Sequence, residues 1–290
     1  MRRAEEGLLM LTCTLGQDVL PLTNTELQYL EKLVMRLPKN EPEGEVTEQF
    51  FLSLGYSARQ AERMMRLLNR DSALHSYLQA SGISVVTRLS PNYPERLQLL
   101  RGQMPTALFC KGDVELFQTR CIALVGSRTL PERNRTFAEH IGTLAAQAGY
   151  TLVSGGAVGA DSAAQNACLA AGGKVICFVP DALKRYRPNP NILYCSDEGW
   201  HLPFTATRAL RRNHYIHALG EKTFVAACPY PKGGTWSGAN HNLNHHLSEL
   251  YVLDDNTEGI RLLHSMGAIC VNDALPSIAE LMPIELSIFD

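Results

Sequence analysis

Two glycine-rich stretches carry the residue types that bind anions, and each directly follows an apolar stretch. Glycine lets a ligand approach the backbone closely, and a helix that begins after such a stretch offers free N–H groups. Serine and arginine add side-chain donors. These residues are Gly126, Ser127 and Arg128 in the first stretch, and Ser154, Gly155, Gly156 and Gly159 in the second. The sequence therefore predicts an anion-binding site, with phosphate as the expected ligand.

The segments around these stretches predict a parallel sheet. Residues 122–125, 150–153 and 174–179 are apolar and rich in β-branched side chains, and the segments between them have apolar residues at helical spacing. Ligands bind at the carboxyl ends of the strands in such sheets. We therefore expect a doubly wound α/β fold with both glycine-rich stretches at one edge of the sheet.

The first hundred residues have a different pattern, which is typical of short helices joined by polar turns. Capping boxes at residues 23–26 and 57–60 precede apolar residues at helical spacing, and residues 38–44 have the polar, Pro-containing composition of a loop. Residues 83–87 alternate like an edge strand. We expect a small helical module of the SAM or helix-hairpin-helix type over residues 1–100, followed by the α/β domain over residues 101–290.

Charge is distributed unevenly along the chain, although the formal net charge is only −2. Residues 120–212 hold 11 basic and 6 acidic side chains, whereas residues 213–290 hold 3 basic and 9 acidic ones. A local basic face matters more for binding a polyanion than the total charge does. A solvated basic surface that binds no ligand would account for this distribution equally well.

The eight cysteines indicate a reducing compartment. They occur singly, mostly within apolar runs, and no Cys-x-x-Cys pair is present. No run approaches the roughly 18 apolar residues needed to cross a bilayer, and the N-terminus lacks the pattern of a signal peptide. We therefore expect a cytoplasmic protein that does not associate with a membrane.

Six motifs follow one another between residue 89 and about residue 273. They are residues 92–97 (Asn-Tyr-Pro-Glu-Arg-Leu), 105–112 (Pro-Thr-Ala-Leu-Phe-Cys-Lys-Gly), 123–128 (Ala-Leu-Val-Gly-Ser-Arg), 153–161 (Val-Ser-Gly-Gly-Ala-Val-Gly-Ala-Asp), 211–213 (Arg-Arg-Asn, resembling a helix start) and 259–268. A lone Gly-x-x-Gly motif would be weak support for a relationship, but with these motifs in order the chain resembles the DprA/Smf family of bacterial DNA-processing proteins.

The resemblance implies an extended Rossmann-like domain that binds single-stranded DNA, forms a homodimer and assists the loading of a RecA-type recombinase. It implies no catalytic residue, cofactor or metal. Backbone N–H groups would hold phosphates, and basic side chains would add salt-dependent affinity without reading sequence. Besides both glycine-rich stretches, the expected DNA-binding residues are Lys174, Lys184, Arg185, Arg211, Arg212 and Asn213.

The chain departs from the family pattern in three places. Residues 158–161 read Val-Gly-Ala-Asp and are followed by Gln165, where the family commonly has Arg-Gly-Ile-Asp and then His, so one basic contact is missing. The segment over residues 180–192 is shorter than the usual crossover of the family. We also expect no winged-helix domain after Asp273. We therefore expect a divergent or minimal member of the family.

Two other functions fit the same scaffold. The first is a nucleotide-binding sensor, because phosphate-binding loops of this kind also suit small nucleotides. The second is a phosphoribohydrolase resembling the LOG family, which pairs its glycine loop with Pro-Gly-Gly-x-Gly-Thr-x-x-Glu. Where that glutamate should fall, this chain has Ala239 and Asn240. A Walker-type phosphate loop is absent as well, so we expect a protein that is not an enzyme.

Three further groups of residues have alternative interpretations. His241 and His245 would share a helix face, as in zinc sites, but no carboxylate or cysteine completes a known spacing, and we expect a polar helix surface. Asp161 is expected to cap N–H groups at a helix start and not to act as a base. Tyr186, in the basic loop, either stacks on a base or packs on the rim of the sheet.

Overall fold

A nine-stranded sheet lies at the centre of the computed structural model, which describes residues 1–37, 46–80, 82–228, 232–275, 277–278 and 281. The strand order is β1-β2-β6-β5-β4-β3-β7-β8-β9; β2 is antiparallel to β1 and to β6, and every other pair is parallel. The strands are β1 (Ser84–Thr87), β2 (Ala107–Lys111), β3 (Cys121–Val125), β4 (Thr151–Ser154), β5 (Val175–Phe178), β6 (Ile192–Asp197), β7 (Lys222–Val225), β8 (Glu249–Leu253) and β9 (Ile269–Val271).

Helices cover both faces of this sheet. They are α1 (Arg3–Thr12), α2 (Asn24–Val34), α3 (Glu48–Ser53), α4 (Ala58–Leu68), α5 (Asp71–Gln79), α6 (Glu132–Gln147), α7 (Ala160–Ala170), α8 (Ala206–Leu219), α9 (Gly234–His245) and α10 (Glu258–Ser265). Short 3₁₀ segments span Glu95–Gln103, Val114–Gln118 and Leu183–Arg185. The capping boxes expected from the sequence are present at Thr23 and Ser57, where they begin α2 and α4.

Alternation along β3 shows how the two faces are filled. Ile122 and Leu124 pack with α6 and α7 on one face, whereas Ala123 and Val125 pack with α8, α9 and α10 on the other. Because successive side chains of a strand point to opposite faces, a strand that is apolar throughout must be covered on both sides. The expected doubly wound, mostly parallel, Rossmann-like fold is confirmed.

The N-terminal helices are not separate from this sheet. They have a small core of their own around Phe51, but Leu9 of α1 and Leu74 of α5 belong to the core beneath β2, and Tyr77 packs edge-on against Phe109 at 6.0 Å between ring centroids. The first strand begins at Ser84, as the alternation of residues 83–87 predicted, and it pairs with β2.

The sheet already begins at β1, ahead of the domain boundary expected near residue 100, which stays a prediction. Helical periodicity showed where helices form but not which core they cover. The SAM or helix-hairpin-helix type of the helical part stays a prediction. The loop expected over residues 38–44 lies outside the described residues, as does most of the segment after Leu275.

Within the described ranges, no helix combines the length and the apolar character needed to span a bilayer. All eight cysteines are free thiols; seven are buried and Cys270 is half-buried.

The close crossing of α6 and α7, which flank the strands that carry the glycine-rich stretches, gives a stability prediction. A Cβ atom at Gly142 would lie 2.1 Å from the backbone oxygen of Ala164. Gly142→Ala is expected to lower the free energy of unfolding by roughly 1–3 kcal/mol through overpacking, even though alanine favours helix. Chemical denaturation measures this change.

Gly7→Ala is the matched control, because Gly7 also lies inside a helix but its Cβ would meet only the side chain of Leu68, at 3.9 Å. This variant is expected to be roughly 0.5–1 kcal/mol more stable than the natural protein. Equal effects of the two substitutions would contradict the packing described for α6 and α7.

Candidate functional site

The candidate site is a cavity of about 480 Å³ at the carboxyl ends of β3 and β7. The chain runs from β3 to β6 toward one side of the sheet, and it then crosses back to place β7 on the other side of β3. A crevice at such a reversal of strand order is where ligands bind in open α/β sheets. The walls come from the first glycine-rich stretch, from Ala157 and Asp161 at the second, from α8 and from the first turn of α9.

The first glycine-rich stretch is held on both sides by backbone hydrogen bonds. The N–H of Ser127 donates to the oxygen of Ala227 at 3.1 Å, and the oxygen of Ser127 accepts from the N–H of Ala160 at 3.1 Å. The N–H of Ser127 is therefore used inside the protein, and its hydroxyl oxygen accepts from the N–H of Thr129 at 3.2 Å. Arg128, which follows, is exposed, and its side chain makes no ion pair or hydrogen bond within the described part of the chain.

The second stretch lies against other parts of the protein. A Cβ atom at Gly155 would lie 1.1 Å from Nη1 of Arg212, and one at Gly159 would lie 2.4 Å from the oxygen of Ser127. Gly159 also has a φ of 102°, which residues other than glycine rarely adopt. Glycine is thus required here by contacts within the chain. The sequence alone could not distinguish this reason from the close approach of a ligand.

Ser154 and Gly156 complete this stretch. Ser154 is fully buried, and its hydroxyl has no hydrogen-bond partner among the described residues. Gly156 is exposed, and a Cβ atom there would lie 2.8 Å from Sγ of Cys177. Of these two residues, only Gly156 is accessible to a ligand.

Arg212 and Asp161 form the polar centre of the site. Nη1 of Arg212 lies 3.8 Å from Oδ2 of Asp161, and the same carboxylate oxygen accepts from the N–H of Ala157 at 3.3 Å. Burial raises the pKa of Asp161, and the guanidinium of Arg212 acts in the opposite direction. Asp161 therefore holds the second glycine-rich stretch and Arg212. The N–H that it binds precedes α7, so its expected capping of the helix start stays a prediction.

Asn213 and His217, one turn apart on α8, join this helix to α9. Nδ2 of Asn213 donates to the oxygen of Gly234 at 3.1 Å. Nδ1 of His217 lies 3.1 Å from Nδ2 of Asn242, whose Oδ1 accepts from the N–H of Ser248, so Nδ1 of His217 is the acceptor. Burial lowers the pKa of His217 to about 3, which keeps this ring neutral.

Eight of the thirteen expected DNA-binding residues do not line the cavity as the structure describes it: the four of the second glycine-rich stretch and four basic residues. Lys174 precedes β5, so it lies at the amino edge of the parallel strands, opposite to the glycine-rich stretches at the carboxyl edge. Arg211 forms ion pairs of 2.7 Å with both Asp197 and Glu198. The other two, Lys184 and Arg185, belong to the 3₁₀ segment after β5, where Arg185 lies 3.3 Å from Asp181.

Residues 211–213 also differ from the expected helix start. The helix α8 begins at Ala206, with Thr205 as its cap, so these residues lie in its second turn. This position directs Arg212 and Asn213 toward the cavity and Arg211 toward the end of β6. In this arrangement Arg211 does not line the cavity, and the contact of all three residues with one ligand stays a prediction.

Tyr186 packs on the rim of the sheet. Its hydroxyl donates to Oδ1 of Asp181 at 2.5 Å, and its ring lies 4.9 Å from that of Tyr194 between centroids. These contacts favour the second of the two interpretations given for this residue.

Two exposed residues of the cavity were not among the residues predicted for this site. Lys232 lies just before α9, and Phe204 lies just before α8 with 53% of its surface exposed. Lys232 belongs to a turn, Lys-Gly-Gly-Thr, whose glycines were the available signal. Phe204 is a single aromatic residue in a loop, and no spacing connects it to the glycine-rich stretches.

The histidines at the junction of α8 and α9 form a stack. The ring of His241 lies between those of His214, at 3.7 Å, and His245, at 4.0 Å. The described residues contain no group of three or more side chains arranged to hold a metal.

The fold and the cavity define the class: a Rossmann-like α/β protein with a basic, glycine-lined site at the reversal of strand order. The chain belongs to the family described as DNA recombination-mediator protein A, the DprA/Smf family, whose model matches residues 84–282. The match begins at β1, the first strand of the sheet.

Two curated relatives agree with this membership. The chain is 28% identical over 207 residues to protein Smf of Borreliella burgdorferi, which covers 66% of this chain and 64% of Smf. It is 29% identical over 162 residues to DNA processing protein DprA of Bacillus subtilis, which covers 50% of this chain and 52% of DprA. The chain thus spans less than two thirds of the length of either relative.

Two solved structures share the fold. DprA of Streptococcus pneumoniae superposes with a TM-score of 0.68 at 22% identity, covering 87% of this chain and 95% of that one. DprA of Helicobacter pylori, in a study of its single-stranded DNA binding mode, gives a TM-score of 0.56 at 24% identity, covering 65% and 90%. At such identities the similarity concerns the fold.

The imidazoles of His217, which is buried, and His214, which is half-buried, predict a loss of stability in acid. The pKa of His217 is lowered to about 3 and that of His214 to about 4, by burial first and by the neighbouring histidines second. Below pH about 6.5 the unfolded chain binds protons that the folded protein does not, so the free energy of unfolding falls as the pH falls. We expect His217 alone to account for about 2 kcal/mol between pH 7 and pH 5.

Denaturation at a series of pH values checks this expectation. His217→Gln is expected to flatten the pH dependence, whereas His75→Gln, which removes an exposed imidazole on α5, is expected to leave it as it is. A pH dependence that His217→Gln does not alter would show that another group causes it.

Proposed function

We propose that this protein binds single-stranded DNA in the cavity at the carboxyl ends of β3 and β7. The observation that carries the proposal is the placement of three cations around one cavity. Arg128 and Lys232 are exposed on the loops that follow two adjacent strands, and Arg212 lies in the wall with its side chain 11% exposed. Cations on a glycine-lined edge suit a sugar-phosphate chain, whose affinity comes from phosphate contacts and does not depend on sequence.

Family membership supports the wider role. We propose that the bound strand is protected and is presented to a RecA-type recombinase, and that the protein acts in the cytoplasm as a homodimer. The DprA of Helicobacter pylori, which shares the fold, is described by its single-stranded DNA binding mode. The role proposed here is that of a mediator without catalysis, because Ala239 and Asn240 stand where a phosphoribohydrolase would need its glutamate.

One observation favours the second candidate, a nucleotide-binding sensor. The cavity volume of about 480 Å³ falls within the range of sites for small molecules. A mononucleotide would occupy such a cavity without extending beyond it, whereas a DNA strand would continue over the rim. Affinity as a function of ligand length therefore separates the two candidates.

One prediction of this proposal concerns the charged residues of the site. Arg128→Ala and Lys232→Ala are each expected to weaken the binding of oligo-dT of any length, because each removes a phosphate contact. Each should also reduce the slope of log affinity against log salt by about 0.7, the value for one contact on a single strand. Fluorescence anisotropy at several salt concentrations measures both quantities.

Lys174→Ala is the matched control, because Lys174 is also an exposed cation but lies at the opposite edge of the sheet. It is expected to change neither affinity nor salt slope. A loss of binding in Lys174→Ala, with Arg128→Ala unaffected, would place the DNA elsewhere.

Another prediction of this proposal concerns the length of the ligand. Calorimetry with oligo-dT of increasing length is expected to show affinity that rises with length until the site is filled. Tight binding of a mono- or dinucleotide, with no further gain from longer strands, would favour the sensor and would contradict the DNA-binding proposal.

A further inference from the structure

Two large apolar side chains are exposed at the mouth of the cavity. Phe204 is 53% exposed and Leu210 is 44% exposed, and both line the cavity beside Arg128 and Lys232. A single exposed apolar residue is ordinary on a protein surface. An exposed aromatic ring beside cations, on an anchored backbone, is a different case. The ring can stack on the base of a nucleotide, and the cations can bind its phosphate.

The backbone before Phe204 is fixed by a buried arginine. Arg208 is 5% exposed, and its Nη1 donates to three carbonyl oxygens. These hydrogen bonds join the end of β5 to the loop before α8. These oxygens belong to Pro180 at 2.8 Å, Leu202 at 3.1 Å and Pro203 at 2.9 Å.

The backbone after Phe204 is fixed as well. Oγ1 of Thr205 accepts from the N–H of Arg208 at 3.1 Å and so caps α8. Phe204 therefore lies between two anchored residues, and its ring is presented at the mouth of the cavity with little backbone freedom. A ring fixed in this way binds a partner at a lower entropic cost than a ring on a free loop.

The other aromatic residue considered for stacking is already occupied, since Tyr186 is hydrogen-bonded to Asp181 and packed on Tyr194. Among the described residues that line the cavity, Phe204 is the only Phe, Tyr or Trp, and the imidazole of His217 in the same lining is fully buried.

We propose that Phe204 is a stacking platform for one unpaired nucleobase of the bound strand, with Leu210 against the edge of that base and the adjoining phosphates at Arg128 and Lys232. This inference rests on the function proposed above. Both faces of a base inside a duplex are covered by its neighbours, so a ring at this position favours a strand whose bases are free to unstack. The site thereby favours single strands over duplex DNA without reading sequence.

The test compares oligo-dT with an abasic oligonucleotide of the same length, which keeps the phosphates and lacks the bases. Natural protein is expected to bind oligo-dT more tightly than the abasic strand. In Phe204→Ala the ratio of the two affinities is expected to fall roughly 5- to 150-fold, the range found when a stacked aromatic is removed. Phe204→Trp is expected to preserve the ratio.

Two controls make the result specific. Tyr29→Ala removes another aromatic side chain that is 53% exposed, on α2 and outside the cavity, and it should leave the ratio unchanged. The fluorescence of Phe204→Trp, compared with that of the natural protein, should be quenched by oligo-dT and not by the abasic strand, because only a stacked base lies on the indole.

The outcomes separate the two proposals. If Phe204→Ala has the same ratio as the natural protein, and the added fluorescence of Phe204→Trp does not respond to the bases, the stacking platform is excluded while DNA binding stands. If the natural protein binds neither oligonucleotide, the proposed function and the stacking platform fail together.

Discussion

The contact of Arg212 with Asp161 and Gly155 is the interaction on which the candidate site depends. It joins α8, on one face of the sheet, to the second glycine-rich stretch at the tip of β4, and so closes the cavity across the reversal of strand order. Nη1 of Arg212 occupies the space that a side chain at position 155 would need. The buried carboxylate of Asp161 neutralises part of the arginine charge while orienting it. A cavity wall that contains a fixed cation therefore follows from one glycine and one ion pair.

Much of the fold could be predicted from the sequence because its signals are local. Capping boxes, apolar strands and glycines that follow strands each depend on a few neighbouring residues, and they placed both glycine-rich stretches at one edge of the sheet. The direction of a strand is also a local property. Lys174 precedes β5 and Arg128 follows β3, so the sequence already contained the reason to separate them. A residue before a parallel strand and a residue after one lie at opposite edges of the sheet, even when both belong to the same basic segment of the chain.

The remaining features could not be predicted because they depend on residues far apart in the sequence. Arg211 is occupied by Asp197 and Glu198, and the partners of a basic residue do not appear in its own motif. Phe204 becomes part of the site only because α8 crosses back over the sheet. The core shared by the N-terminal helices and the sheet could not be predicted for a similar reason, since helical periodicity does not reveal that Leu9 and Leu74 cover the same core as Phe109.

The shared core beneath β2 bears on how the protein can be divided. Arg70 donates to the carbonyl oxygens of Met10, Cys13 and Thr14, which locks the end of α1 to the turn before α5 while both helices rest on the sheet. A fragment that begins at Ser84 would retain every strand described here and yet expose the apolar side of β2. Such a fragment would carry an uncovered surface beside an edge strand, the combination that promotes pairing between copies of a chain. The N-terminal helices therefore act as a cover that protects this edge of the sheet from aggregation.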